Sequence, residues 1–140
     1  MTTTKGATFT AADANRVLPL VRSIVTDLVA DYARMKEADR ERRALDVESS
    51  GGGESARRVE ELKEEAHERR ARVEGYRKEL QGLGVEMKDY ERGLVDFPAE
   101  RDGQPVFLCW QMGEGSVAHW HAIDKGFADR RAVEPGDPIA

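Results

Sequence analysis

Apolar residues recur at three- and four-residue steps through Val17, Leu20/Val21, Ile24/Val25, Leu28/Val29 and Tyr32/Met35, with polar residues between them. That period is the broad apolar face of an α-helix. Thr10 stands where its hydroxyl can accept from the amide of Asp13, and Asp13 falls in the first turn, where the helix dipole favours a carboxylate. The pattern predicts a helix over 10–47. Pro19 lacks the N–H that would bond the Asn15 carbonyl and crowds it with its ring, which predicts a kink or short break near Asn15–Leu18. Glu48-Ser49-Ser50-Gly51-Gly52-Gly53 is the clearest breaker in the chain and reads as a flexible turn.

A second helix is predicted over 54–82, on a heptad of Val59, Leu62, Ala66, Arg69, Val73, Tyr76, Leu80 and Leu83. Gly82 or Gly84 ends it. Two helices joined by a glycine turn form an antiparallel hairpin. Counting outward from the turn sets Leu28 near Val73, Val21 near Leu80, and Asp31/Tyr32 near Arg69, so the seam arginine is expected to pair with Asp31. Apolar residues are dense at the base of this coiled hairpin and sparse from Lys36 to Glu61.

From Gly93 onward the period changes to two. Asp102-Gly103 is a strong two-residue hairpin signal. Pairing outward from it sets Asp96 opposite Cys109, Phe97 opposite Leu108 and Val95 opposite Trp110. The next turn, Gly113-Glu114-Gly115, admits two registers. A three-residue loop sets Cys109 opposite His119 and Phe107 opposite His121, and it also gathers Val95, Phe97, Val106, Leu108, Trp110, Met112, Ala118 and Trp120 on one apolar face. A one-residue slip would exchange the faces, so the segregation selects the three-residue loop. The expected fold is therefore α+β: a single domain with a helical hairpin, a three-stranded antiparallel meander over 93–123 packed across its base, and a tail over 124–140.

Composition narrows the function. Thirteen basic and thirteen acidic side chains interleave between Arg34 and Glu79, and the net charge is −5. Nucleic-acid binders need a surplus of positive potential on one face, so no nucleic-acid partner is expected. No apolar run approaches a membrane span and the N-terminus has no apolar signal-peptide core, so neither a membrane role nor export is expected. A single cysteine cannot form an internal disulfide, and the cytoplasm is the expected compartment. A hairpin leaves part of its apolar stripe uncovered, which points to a homodimer through a four-helix bundle.

Site-grade chemistry is concentrated in thirteen positions holding Cys109, Trp110, His119, Trp120 and His121. The chosen register lines up Asp96, Cys109 and His119 on adjacent strands, with His121 one pleat further, on the face away from the helices and toward solvent, a partner or a ligand. Alternate histidines on a strand project together and can share a metal, with Asp96, Cys109 or Glu114 completing the set. A mixed N/O/S set suits zinc or iron better than magnesium or calcium. A haem-ligating histidine is also open, though no CxxCH motif is present. A thiol-nucleophile arrangement is disfavoured because Asp96 opposite Cys109 is the wrong order for a triad and no helix N-terminus follows the cysteine. Two histidines on a solvated sheet face that bind nothing are the bland alternative. The tryptophans read as core and His67 as solvated, while Arg130-Arg131 could hold an anion but read more simply as a surface salt bridge.

FTAADANRVLPLVR and the series GLVDFP…LCW…GE…WH…GF…R resemble the bacterial domain-of-unknown-function family 2203 over nearly the whole chain. The resemblance implies a bacterial, cytoplasmic, helical-hairpin protein with a short C-terminal motif region, and no activity. It further implies an aromatic residue where this chain has His119, while His121 follows the pattern, which favours His121, Asp96 and Glu114. The expected function is binding of a transition metal or small polar ligand at this cluster, with catalysis left open. The alternative is a structural or protein-interaction module that works through its coiled hairpin.

Overall fold

Thr10 and Asp13 open the first helix with a reciprocal pair of bonds. The Asp13 amide donates to Thr10 Oγ1 at 3.0 Å, and the Thr10 amide donates to Asp13 Oδ2 at 3.1 Å. This capping box satisfies backbone donors that have no partner inside the helix. In the computed structural model, which describes residues 8–48 and 53–140, α1 runs Ala11–Glu48 and α2 runs Gly53–Gly82. The expected turn at Ser49–Gly52 lies outside the described residues. α1 passes through Pro19 without the expected break. The lost ladder bond costs about 3 kcal/mol in a free helix, but Leu18 and Val21 on either side are held in the core.

α2 ends in a Schellman motif: the Val85 amide donates to the Leu80 carbonyl and the Gly84 amide to that of Gln81, both at 2.9 Å, with Gly84 at φ +87°. Leu80 and Val85 are buried, completing the motif's apolar contact. The seam follows the heptad. Val59, Leu62, Ala66, Val73 and Leu80 are buried, and Arg69 Nη1 donates to Asp31 Oδ1 at 2.6 Å. Toward the hairpin tip the apolar packing shrinks to a small cluster of Ala38, Leu62 and Ala66, flanked by Met35 and Leu45.

The sheet is a five-stranded antiparallel meander in chain order: β1 Glu86–Asp89, β2 Leu94–Arg101, β3 Gln104–Gln111, β4 His119–Ala122 and β5 Arg131–Ala132. Three strands were expected; β1 and β5 add an edge on each side. β1 forms because the chain leaving Gly84 is turned alongside β2, and its Glu-Met-Lys-Asp sequence carries no apolar signal of its own. The inner registers agree with the expectation. Asp96 pairs with Cys109, Val95 with Trp110, Cys109 with His119 and Phe107 with His121. Asp102 and Gly103 take φ 53° and 80°, the left-handed pair a type I′ turn needs.

Val95, Phe97, Leu108 and Trp110 form one core with Leu18, Val21, Val25 and Leu28 of α1. Gly93 lets the β1–β2 turn approach that helix. A Cβ there would lie 2.7 Å from Met112 Cβ and 3.1 Å from Val25 Cγ1, and its φ is +72°. Asn15 ties the β3–β4 loop to α1 by accepting from the Val117 amide at 2.7 Å and donating to its carbonyl at 3.0 Å. The tail returns to the start of the chain. Ile139 is buried, and the amides of Ala11 and Ala12 donate to the backbone oxygens of Ile139 and Ala140. Among the described residues the exposed large apolar side chains are Leu20 and Ile123. No described helix is long and apolar enough to cross a membrane.

Candidate metal centre

Asp96, Cys109 and His119 stand in register across β2, β3 and β4, and His121 lies one pleat beyond His119. All project from the face opposite the helical core. The sequence left that face to solvent, a partner or a ligand; it is closed to solvent at Asp96, Cys109 and His121, which are 3%, 0% and 4% exposed. The chain leaving β4 folds back over it. Ile123, Lys125, Gly126 and Phe127 join Lys88, Leu94, Asp96, Phe107 and His121 around a cleft of about 220 Å³. Phe127 is fixed by the guanidiniums of Arg92 and Arg130, 4.3 and 4.1 Å from its ring centroid. Such cation–π contacts hold an aromatic side chain over a polar surface.

Of the five residues singled out from sequence, the fold gathers three. One ligand atom each from Asp96, Cys109 and His121 lies within 4.8 Å of the other two. Within it, His121 Nε2 lies 3.1 Å from Asp96 Oδ1. His119 is outside this group. Its Nδ1 is the one buried side-chain nitrogen or oxygen without a hydrogen-bond partner among the described residues. Glu114 is engaged elsewhere. It accepts a forked pair from Arg130 at 2.8 and 3.1 Å, and the Gln111 amide at 2.9 Å. The sequence reading weighed an anion site at Arg130-Arg131 against a surface salt bridge and favoured the latter; the Arg130–Glu114 pair is a salt bridge, but a partly buried one.

His121 is oriented by its other ring nitrogen. Nδ1 lies 2.8 Å from the Ala122 carbonyl, which can only accept, so Nδ1 carries the proton. Nε2 is then free to present a lone pair toward Asp96. A proton must sit between Nε2 and the Asp96 carboxylate for them to bond, and a metal ion can take its place.

The electrostatics separate the three groups. Burial raises the pKa of the Asp96 carboxyl above its ordinary value, with His121 opposing. Burial, helped by the Asp96 carboxylate, pushes the Cys109 thiol up to about 12, with Arg130 opposing. A thiol held protonated in this way is a poor nucleophile, which removes the physical basis for a cysteine-nucleophile reading. Burial also pushes Glu114 upward, but Arg130 and the Gln111 amide outweigh it and hold the carboxyl below its usual range.

Metal geometry suits these distances. Donors about 2.0–2.3 Å from a tetrahedral ion stand about 3.3–3.8 Å apart; Asp96 and His121 are slightly closer than that, at 3.1 Å, and Cys109 lies within 4.8 Å of both. The cleft is too small for a porphyrin. Arg130, Lys88 and the covering segment are the site components that sequence reasoning missed. Phe127 flanked by basic residues was the available signal.

No curated protein and no solved structure matches the chain. Residues 7–133 match the family described as uncharacterized conserved protein (DUF2203), in agreement with the resemblance seen in the sequence, and the chain belongs to that family.

Proposed function

We propose that this protein binds a divalent transition metal, zinc or iron, through Asp96 Oδ1, Cys109 Sγ and His121 Nε2. The observation that carries the proposal is the Nδ1–H bond of His121 to the Ala122 carbonyl, which aims Nε2 at the two other donors. Metal-ligating histidines are characteristically oriented by such a bond from the second nitrogen. The donor set is mixed N/O/S, which favours zinc or iron over magnesium or calcium. Three protein donors leave at least one position open, the arrangement of a reactive or ligand-binding site rather than a closed structural one. Any ion here would deprotonate Cys109 on binding.

Elemental analysis of untagged protein, purified without chelator, tests the reading. About one zinc or iron per chain is expected for the native sequence, and less than a tenth of that for His121→Ala and Cys109→Ala, because each removes one of only three protein ligands. Equal metal content in all three would refute it.

A further inference from the structure

We propose that the cleft over Asp96 and His121 admits a small carboxylate with an apolar body, which takes the open position on the metal. This inference rests on the metal reading above and names the ligand class of the same site. Asp96 and His121 form part of the cleft wall, whereas Cys109 lies wholly buried beneath. An exchangeable ligand therefore arrives from the cleft. A divalent ion bound by one carboxylate and one thiolate is neutral and gives no net attraction for a further anion. Two lysines supply it. Lys88 reaches in from β1, with Nζ 5.7 Å from the Phe107 centroid and a bond of 3.0 Å to Glu86. Lys125 lines the other side and has no ion-pair partner among the described residues.

The rest of the wall is Gly126 and four apolar side chains, Leu94, Phe107, Ile123 and Phe127. Ile123 keeps 51% of its surface exposed on this wall. Inorganic phosphate would satisfy the lysines but leave those walls uncovered. The cleft, about 220 Å³, is smaller than the roughly 300–1,000 Å³ of sites for drug-sized ligands. It suits a single ring or a short branched chain.

Cobalt(II) in the full-length protein, with benzoate as probe, provides the test. A cobalt–thiolate charge-transfer band is expected on metal addition. Benzoate should then shift the visible d–d bands in a saturable way, while the neutral isostere benzamide should not, and phosphate should bind more weakly than benzoate. In the double variant Lys88→Ala/Lys125→Ala, the cobalt bands without benzoate should be unchanged and the benzoate Kd at least about fivefold higher. Both lysines are exposed, so the variant keeps the fold. Cobalt bands that benzoate does not move overturn this inference and leave the metal site standing. Benzamide acting like benzoate, or phosphate binding more tightly, overturns the ligand class. Failure to bind cobalt overturns both readings.

Discussion

His121 Nε2 and Asp96 Oδ1 meet at 3.1 Å although their strands, β4 and β2, are not neighbours. β3 runs between them, and the contact is possible because it carries the small side chain of Cys109 there. The bond has a testable consequence for stability in the metal-free protein. Asp96→Ala leaves the buried Nε2 without a partner and is expected to cost about 1–3 kcal/mol in urea unfolding. Asp96→Asn can still donate from its amide to Nε2, so it should stay within about 1 kcal/mol of the native protein. An alanine variant as stable as the native chain would mean that the pair does not hold the strands' outer face.

Cys109 gives the metal-free protein an alkaline weakness. Its thiol is pushed up to about 12 in the folded state from an ordinary 9.0. The folded chain thus keeps a proton that the unfolded chain releases in this window. The thiol's contribution is fully present below pH 9 and is lost as pH rises from 9 toward 12, at up to about 1.4 kcal/mol per pH unit. Cys109→Ala should remove that slope. Urea unfolding of both proteins at pH 8, 9.5 and 10.5 isolates the effect as a difference between them. Parallel curves would show that the thiol is not held neutral.

Legibility in the sequence follows the reach of local signals. Asp102-Gly103 fixes a two-residue turn, so every β2–β3 pair, including Asp96 with Cys109, follows by counting. The β3–β4 register follows from apolar segregation, because a slip would turn Trp120 to the other face and set the histidines beside Leu108 and Trp110. What stayed hidden depends on contacts remote in the chain. β1 has no apolar alternation, and the segment from Ile123 to Arg130 folds over the site through Phe127 and its two guanidiniums. Register also could not separate His119 from His121. Both lie on one face, and the bond from Nδ1 to Ala122 is a matter of ring rotation that pairing does not specify.

Asp31 is the acidic residue buried in the hairpin seam, with Arg69 at 2.6 Å and Arg72 at 3.8 Å. Arg69→Leu leaves the carboxylate buried with only the more distant arginine, and should lower stability by less than the loss of a partner in a fully buried pair, because Arg69 is itself a quarter exposed. Replacing both residues, Asp31→Leu with Arg69→Leu, should recover most of that loss, since a paired charge and a packed apolar pair are near equivalents. The four proteins form a double-mutant cycle by urea unfolding. Additive losses would show that Asp31 and Arg69 act independently.

Ile139 lies at the far end of the chain yet is 1% exposed, in the same core as Phe97 and Leu18. Its backbone oxygen accepts the Ala11 amide at 2.6 Å, so the residue both fills the core and caps the first helix. The neighbouring Asp137 steadies it by accepting from the Ile139 amide at 3.2 Å and from Arg101 at 3.3 Å. Ile139→Ala keeps the cap and removes the packing, which should cost about 2–4 kcal/mol. Deleting residues 138–140 removes both and should cost about 1 kcal/mol more, the worth of one lost cap. Amide exchange separates the two contributions. The deletion should speed exchange at Ala11 and Ala12 beyond the global loss of stability, whereas Ile139→Ala should not. Equal exchange at those two amides in both variants would show that the tail does not cap the helix.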